Sequence, residues 1–451
     1  MVRVGPLLQN VLHRIGGAAR DLDEREMLAV AAHVGGEAAE GRLPLVVQFG
    51  TRRPKRGETW QEYKARVGKE IEPMRELLTK GKGEPLILAN ALAASIPAQQ
   101  ALALRDNEGV SLIELDPVVN PTLMDDAVID VGLSQFHNQT GRLTGKGVRV
   151  AVLDSGVDTQ HPYLAVAASV STCGEDVALP GRHGTHCAGS IASRDAVFGG
   201  VAPDVDLLNV KVLKRDGSGQ YTQITKGVDA ALDLEADVLS LSLGFNHLPA
   251  WSDRGHGWAC PDGRCPLCTA VDNAVSLGAI ACVAAGNEHS RAESLRRFGY
   301  GNTFDTELGC PGQARGAITV GALTKRTFLP ADFSSRGPTS YGEAKPDLSG
   351  PGVNVMSTVP VPRRADGKPD PAAQRVDLFS RESGTSMATP IVAGAVALLL
   401  QHRREQGLPT TPAAIKQLLL AQAATALAQP PNVVGKGRID LARYGVIVPT
   451  T

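Results

Sequence analysis

RESGTSMATP, residues 381–390, sets a lone serine between Gly384-Thr385 and a run of small residues that a proline interrupts. Ser or Thr ahead of an apolar run is a common helix cap, because its hydroxyl accepts from unpaired amides of the first turn. A serine in that place can also be a nucleophile. A cap needs nothing elsewhere in the chain, whereas a nucleophile needs a base, a carboxylate to orient the base and a donor for the oxyanion. The rest of the sequence decides between them.

Three other segments supply those groups. VAVLDSGVD (150–158) puts Asp154 at the carboxyl end of a buried strand, where open parallel sheets collect ligands. GRHGTHCAGSIAS (181–193) sets His183 and His186 at a helix start, with Gly181 and Gly184 allowing close backbone approach. VAAGNE (283–288) ends a strand at Gly286-Asn287, whose side-chain amide can donate to developing oxyanion charge. Each has an ordinary reading as a cap or packing residue. The four together, Asp154, His183, Asn287 and Ser386, do not.

These residues resemble the subtilisin-like serine proteases, in which Asp, His and Ser occur in that chain order. The resemblance rests on AVLDSGVDTQHP (151–162), HGTHCAG (183–189), NVKVLKRDGSGQY (209–221), LSLSLG (239–244), AAGNE (284–288), FSSRGP (333–338) and GTSMATPIVAGA (384–395), and runs from about Gly132 to Tyr444. It implies Ser386 as nucleophile, His183 as base, Asp154 as the carboxylate that orients the imidazole, and Asn287 with the Ser386 amide as oxyanion donors. His186 becomes structural. Gly384 and Thr385 are expected to turn the chain sharply so that Ser386 stands at a helix N-terminus. Pro390 falls about one turn in, where a missing N–H is expected to cost little.

The resemblance also places substrate between two extended segments, DGSGQY (216–221) with Gly217, Ser218, Gly219 and Tyr221, and SLG (242–244) with Ser242, Leu243 and Gly244. The pocket wall is expected from these last three with Ala284, Ala285, Gly286 and Gly309, and Glu288 near its rim. The stretch between Glu288 and Gly309 is longer than the family pattern and can reshape the wall.

Pattern and resemblance divide the chain into an N-terminal helical segment (1–40), a propeptide-like unit (43–122) and a peptidase domain (128–446). In the first, Leu8, Val11, Leu12 and Ile15 share one helical face and Met27, Val30, Ala31 and Val34 another. The second reads as a strand PLVVQF, a helix over 58–79, a strand near PLILAN, a helix over 97–106 and a strand VSLIEL, a small ferredoxin-like α/β sandwich. It resembles the family's folding chaperone and intramolecular inhibitor, with autoprocessing expected in NPTLMDDAV (120–128) after Leu123 or Met124. From about 145, apolar strands alternate with helices, the pattern of a three-layer α/β fold on a mostly parallel sheet.

Among 451 residues, 46 Lys and Arg nearly balance 47 Asp and Glu, for a net charge of −1. No basic stripe with interleaved aromatics points to nucleic acid. No apolar run suggests a membrane span, and the first residues show no secretory signal, so a cytoplasmic protein is expected, with export left open.

Catalysis by this set needs no cofactor. The family's tight calcium site takes a carboxylate where this chain has Tyr163, and ligands from a loop that is short here, SRDAVFGG (193–200); calcium needs six to eight oxygens, so that site is expected to be absent. Seven cysteines leave at least one unpaired. Cys260, Cys265 and Cys268 with His256, in HGWACPDGRCPLCTA (256–270), match the ligand types of structural zinc; a disulfide plus a free thiol matches equally. Cys187 reads as a buried thiol beside the site, and Cys282 as core.

The sequence thus predicts an autoprocessed serine endopeptidase acting on protein or peptide. The rival is a catalytically idle peptide-binding or partner-recruiting protein on the same fold.

Overall fold

The structure, a computed structural model, describes residues 3–4, 42–49, 55, 60–82, 84–86, 91–104, 107, 109–115, 127, 130–245, 248, 260, 262–299, 304–422 and 424–444. It separates into two compact units, 1–120 and 121–451.

In the first unit a sheet of order β1-β5-β2-β4-β3 is built from β1 (Arg3–Val4), β2 (Arg42–Gln48), β3 (Glu84–Leu86), β4 (Ala91–Pro97) and β5 (Leu112–Leu115). Helix α1 (Trp60–Thr79) follows β2 and helix α2 (Ala98–Ala103) follows β4. The run β2-α1-β3-β4-α2-β5, with β2 antiparallel to β4 and β5 and β3 antiparallel to β4, is the ferredoxin-like order. Tyr63, Val67, Ile71 and Leu78 form the buried stripe of α1, at the helical spacing that one apolar face requires. Strand β4 is a departure from the sequence pattern. The pattern gives one strand near 85–90 and a helix from 97, whereas Ala91–Pro97, rich in helix-favouring alanine, pairs over seven residues in register with β2, so tertiary pairing overrides propensity. Arg3–Val4 pairs in parallel with Leu112–Ile113, so these two residues belong to the sheet; the helices expected over the rest of 1–40 lie outside the described residues.

The second unit holds a sheet of order β15-β16-β12-β11-β10-β9-β6-β8-β7. Its members are β6 (Arg149–Asp154), β7 (Val166–Ser171), β8 (Asp206–Lys211), β9 (Val238–Leu241), β10 (Ile280–Ala284), β11 (Ile318–Leu323), β12 (Leu348–Pro351), β15 (Ala424–Thr425) and β16 (Arg438–Ile439). Every pair is parallel except β15 with β16. Strands β13 (Val355–Thr358) and β14 (Phe379–Glu382) form a separate antiparallel pair.

Both faces of this sheet are covered, which is why its strands are apolar almost throughout. Val150 and Val152 of β6 join one core with Val238, Ile280, Cys282, Ile318 and residues of helices α3 (Leu133–Thr140), α4 (Arg182–Ala192) and α8 (Thr385–Glu405). Ala151 and Leu153, pointing the other way, join a second core with helices α5 (Tyr221–Asp233) and α6 (Pro266–Ser276). This is the three-layer α/β fold expected from the strand pattern. Helix α8 is by length and composition apolar enough to cross a membrane, contrary to the expectation that no run would be; 89% of its apolar window is buried inside the protein, so it serves as the core helix.

Strand order reverses around β6, which pairs with β8 on one side and β9 on the other. Loops leaving the carboxyl ends of β6, β9 and β10 therefore open at one edge, the position where such sheets hold ligands.

Candidate active site

Asp154 is the last residue of β6 and is wholly buried. His183 is the second residue of α4, whose start is brought against the end of β6 by glycine: a Cβ on Gly184 would stand 2.7 Å from the Gly156 carbonyl oxygen. The His183 Nδ1–H donates to the Asp154 carboxylate, 2.9 Å from each oxygen. Desolvation of His183 would by itself favour the neutral ring, but the charge and hydrogen bond of Asp154 outweigh it and raise the imidazole well above the usual histidine range. Lys211, opposite Asp154 in β8, is fully buried and donates its Nζ to the Ser155 carbonyl at 2.5 Å, with Glu175 at 3.1 Å. Nothing in the sequence pattern singled out Lys211.

Ser386 is the second residue of α8, where backbone amides have no intrahelical acceptor. Its Oγ donates to the Ser242 carbonyl at 3.0 Å, and the Ser242 hydroxyl returns a bond to the Ser386 carbonyl at 2.9 Å. The Cys187 thiol, buried on α4, also donates to the Ser386 carbonyl at 3.4 Å and lies 3.9 Å from His183 Nδ1. It therefore touches both chemical groups of the site. Burial pushes the Cys187 thiol up, away from the reactive thiolate.

One sequence expectation about this turn needs correction. Pro390 lies beyond the first four amides of α8, so it removes a real helical bond to the Ser386 carbonyl. That carbonyl is satisfied instead by Ser242 and Cys187. Gly384, at φ 163°, is extended backbone that leads directly into α8, so Ser386 stands at the helix start as expected. A Cβ there would lie 3.4 Å from Asn287 Nδ2, in van der Waals contact with the expected oxyanion donor.

Asn287 follows β10 and is exposed. Its Oδ1 accepts both the Thr385 amide, at 2.9 Å, and the Thr385 hydroxyl, at 3.0 Å. With Oδ1 anchored by two donors, Nδ2 lies beside Gly384, at the start of α8. The same hydroxyl accepts from the Gly286 amide at 3.3 Å. Thr385 thus joins the end of β10 to the start of α8, a role the sequence reading gave only to a turn.

His186 is buried on α4, and its Nε2 lies 3.1 Å from both the Val355 and the Ser380 carbonyls, tying α4 to β13 and β14.

The expected pocket wall is brought together. Phe245 and Cys310 exchange backbone hydrogen bonds of 2.8 and 2.9 Å, and the Gly309 amide reaches the Ala285 carbonyl at 3.3 Å. Ser242, Leu243, Gly244, Ala284, Ala285, Gly286 and Gly309 are consequently contiguous. The stretch after Glu288 folds as helix α7 (His289–Arg297), held to Glu307 by His289 at 2.9 Å and Arg296 at 2.6 Å.

The other expected edge differs. Residues 214–218 close a turn, with the Lys214 amide on the Ser218 carbonyl at 2.7 Å and Asp216 accepting from the Ser218 amide and hydroxyl. Gly217 and Ser218 lie on this exposed turn, and only 218–220 continue as open chain. Tyr221 is the first residue of α5; its ring packs on Phe245 at 4.8 Å, and its hydroxyl donates to Cys265 Sγ at 2.7 Å.

Cys260, Cys265 and Cys268 converge, and Cys310 completes the group: one sulfur from each lies within 4.8 Å of all the others. His256 is outside the described residues. Around the loop expected to lack calcium, Asp195 accepts Arg375 at 2.6 and 3.0 Å, and the guanidinium lies over Phe198 and Phe379, with Tyr163 packed on Phe379.

A family model described as the subtilase family matches residues 145–437. Serine protease AprX of Bacillus subtilis is 35% identical over 319 residues, 66% of this chain and 66% of the relative. Subtilisin amylosacchariticus of Bacillus subtilis subsp. amylosacchariticus is 33% identical over 321 residues, 69% of this chain and 70% of the relative. Intracellular serine protease of Paenibacillus polymyxa is 37% identical over 274 residues, 58% of this chain and 69% of the relative. The chain thus spans about two thirds of the length of these relatives.

Proposed function

The chain belongs to the subtilase family of serine endopeptidases, and from that premise we propose that it hydrolyses peptide bonds through an acyl-enzyme on Ser386 and is made as an autoprocessed zymogen. The observation that carries the mechanism is the 2.9 Å pairing of His183 Nδ1 with the buried Asp154 carboxylate. With Nδ1–H committed, Nε2 is left as the basic nitrogen.

The Ser386 hydroxyl turns from the Ser242 carbonyl toward His183 Nε2, gives up its proton there and attacks the scissile carbonyl carbon. Asp154 stabilises the imidazolium without taking the proton. Charge developing on the substrate oxygen is met by Asn287 Nδ2 and the Ser386 amide, both preorganised, so little reorganisation is needed. His183 returns the proton to the leaving amine, and water reverses the steps to release the acid.

Substrate lies along Ser242–Gly244, whose polar backbone supports strand addition, with its side chain toward Ala284–Gly286 and Gly309. The first unit is the inhibitor and folding chaperone, and cleavage after Leu123 or Met124 releases it. The Asp195–Arg375 pair supports the reading that this loop binds no tight calcium.

Intact mass and fluorogenic-peptide turnover of wild type and Ser386→Ala test the proposal. Wild type alone should shorten near residues 119–127 and gain activity. If neither is cut and neither turns over peptide, the idle binding-protein reading replaces it.

A further inference from the structure

We propose that Cys260, Cys265, Cys268 and Cys310 form a tetrahedral four-thiolate site for a structural zinc ion that fixes the substrate-pocket wall. The four arrive from three places: Cys260, the start of α6, and the segment after Gly309. A zinc ion with sulfurs at about 2.3 Å requires sulfurs about 3.8 Å apart. Here the Cys268 and Cys310 sulfurs are 3.3 Å apart, and all four fall within 4.8 Å of one another. The group needs only small side-chain shifts to close on an ion, and it is not disulfide-bonded.

The surroundings suit thiolates. The Cys265 amide donates to Cys260 Sγ at 3.4 Å, the Cys268 amide to Cys265 Sγ at 3.5 Å, and the Tyr221 hydroxyl to Cys265 Sγ at 2.7 Å. Gln313 Nε2 approaches Cys310 Sγ at 4.0 Å. Cys265 caps α6, so the helix dipole adds to these donors. Cys260, Cys268 and Cys310 are buried, which excludes water from the ion. Binding zinc converts four thiols to four thiolates and releases four protons, leaving a complex of net charge −2 that these donors offset.

A purpose follows from Cys310. Its backbone pairs with Phe245, immediately after Ser242–Gly244, and its neighbour Gly309 bonds to Ala285. An ion here cross-links α6 to the segment that carries the wall across 42 positions of sequence.

The test uses the full-length Ser386→Ala chain, which cannot digest itself, purified anaerobically with and without added zinc. Metal analysis should find about one zinc per chain, and cobalt loaded in its place should show the intense thiolate charge-transfer absorption of a tetrahedral four-sulfur site. Cys310→Ser should reduce zinc at least tenfold or abolish the four-sulfur cobalt spectrum, whereas Cys282→Ser, outside the group, should change neither. The cobalt spectrum of the unaltered cluster stands even if Cys310→Ser does not fold. Absence of both zinc and cobalt uptake overturns the proposal. So does a denatured, non-reduced mass lighter by two hydrogens with the Cys268 and Cys310 peptides linked. So too does Cys310→Ser retaining stoichiometric zinc and an unchanged cobalt spectrum, since the fourth ligand would then lie elsewhere.

Discussion

Ser386 and Ser242 hold each other by two reciprocal bonds, each hydroxyl donating to the other's carbonyl, at 3.0 and 2.9 Å. The arrangement exists because Pro390 supplies no helical donor to the Ser386 carbonyl, leaving it open to a side chain from the end of β9. Ser242→Ala removes the hydroxyl and leaves the carbonyl to Cys187 alone. We expect a loss of about 1 kcal/mol in stability and a several-fold fall in kcat, read by denaturant unfolding and peptide kinetics. Unchanged values for both would mean that the pair does not position Ser386.

His183 must be neutral to accept the serine proton, and Asp154 raises its pKa in the folded protein. The acid limb of kcat/KM is therefore expected above the ordinary histidine value of about 6.5. The sign also fixes the stability linkage: the raised pKa contributes stability that is complete below about pH 6.5 and is lost as pH rises through the folded value. Asp154→Asn should move the limb down and reduce kcat on the order of 10⁴-fold. A limb that stays in place would remove Asp154 from the assignment.

Thr385 acts through Asn287. Asn287→Ala should lower kcat about a hundredfold to a thousandfold with little change in KM. Thr385→Val, which removes one of the two donors to Asn287 Oδ1 and keeps the backbone amide, should lower kcat by a smaller factor, and the double variant should be no worse than Asn287→Ala. Additive losses would show that Thr385 works by another route.

The Arg375–Asp195 pair occupies the loop where calcium was expected to be missing. Because Asp195 is buried, Arg375→Met should destabilise by about 1–3 kcal/mol, with the partial exposure of Arg375 limiting the loss. Saturating calcium should leave the wild-type Tm in place. A calcium-dependent rise that Asp195→Asn abolishes would show that the carboxylate binds an ion instead.

Residue types and order determined much of this protein by themselves. The apolar runs ending at Asp154, Ser242 and Gly286 were legible as buried parallel strands because a sheet covered on both faces tolerates few polar positions. The four polar residues at chain turns were legible because each stands where an apolar element stops. Local pattern failed where a partner distant in sequence decides. Ala91–Pro97 is a strand only because β2 lies beside it. The Gly-Ser edge became a closed turn because Asp216 offers its amides a nearer partner than substrate. The Ser386 carbonyl, the Asn287 amide and the Lys211 ammonium have their partners 144, 98 and 56 positions away, set by packing that no periodicity encodes. Cys310 is the same case: the sequence alone gives it no role, and the fold brings it, through a backbone bridge to Phe245, to three cysteines that the sequence had already grouped.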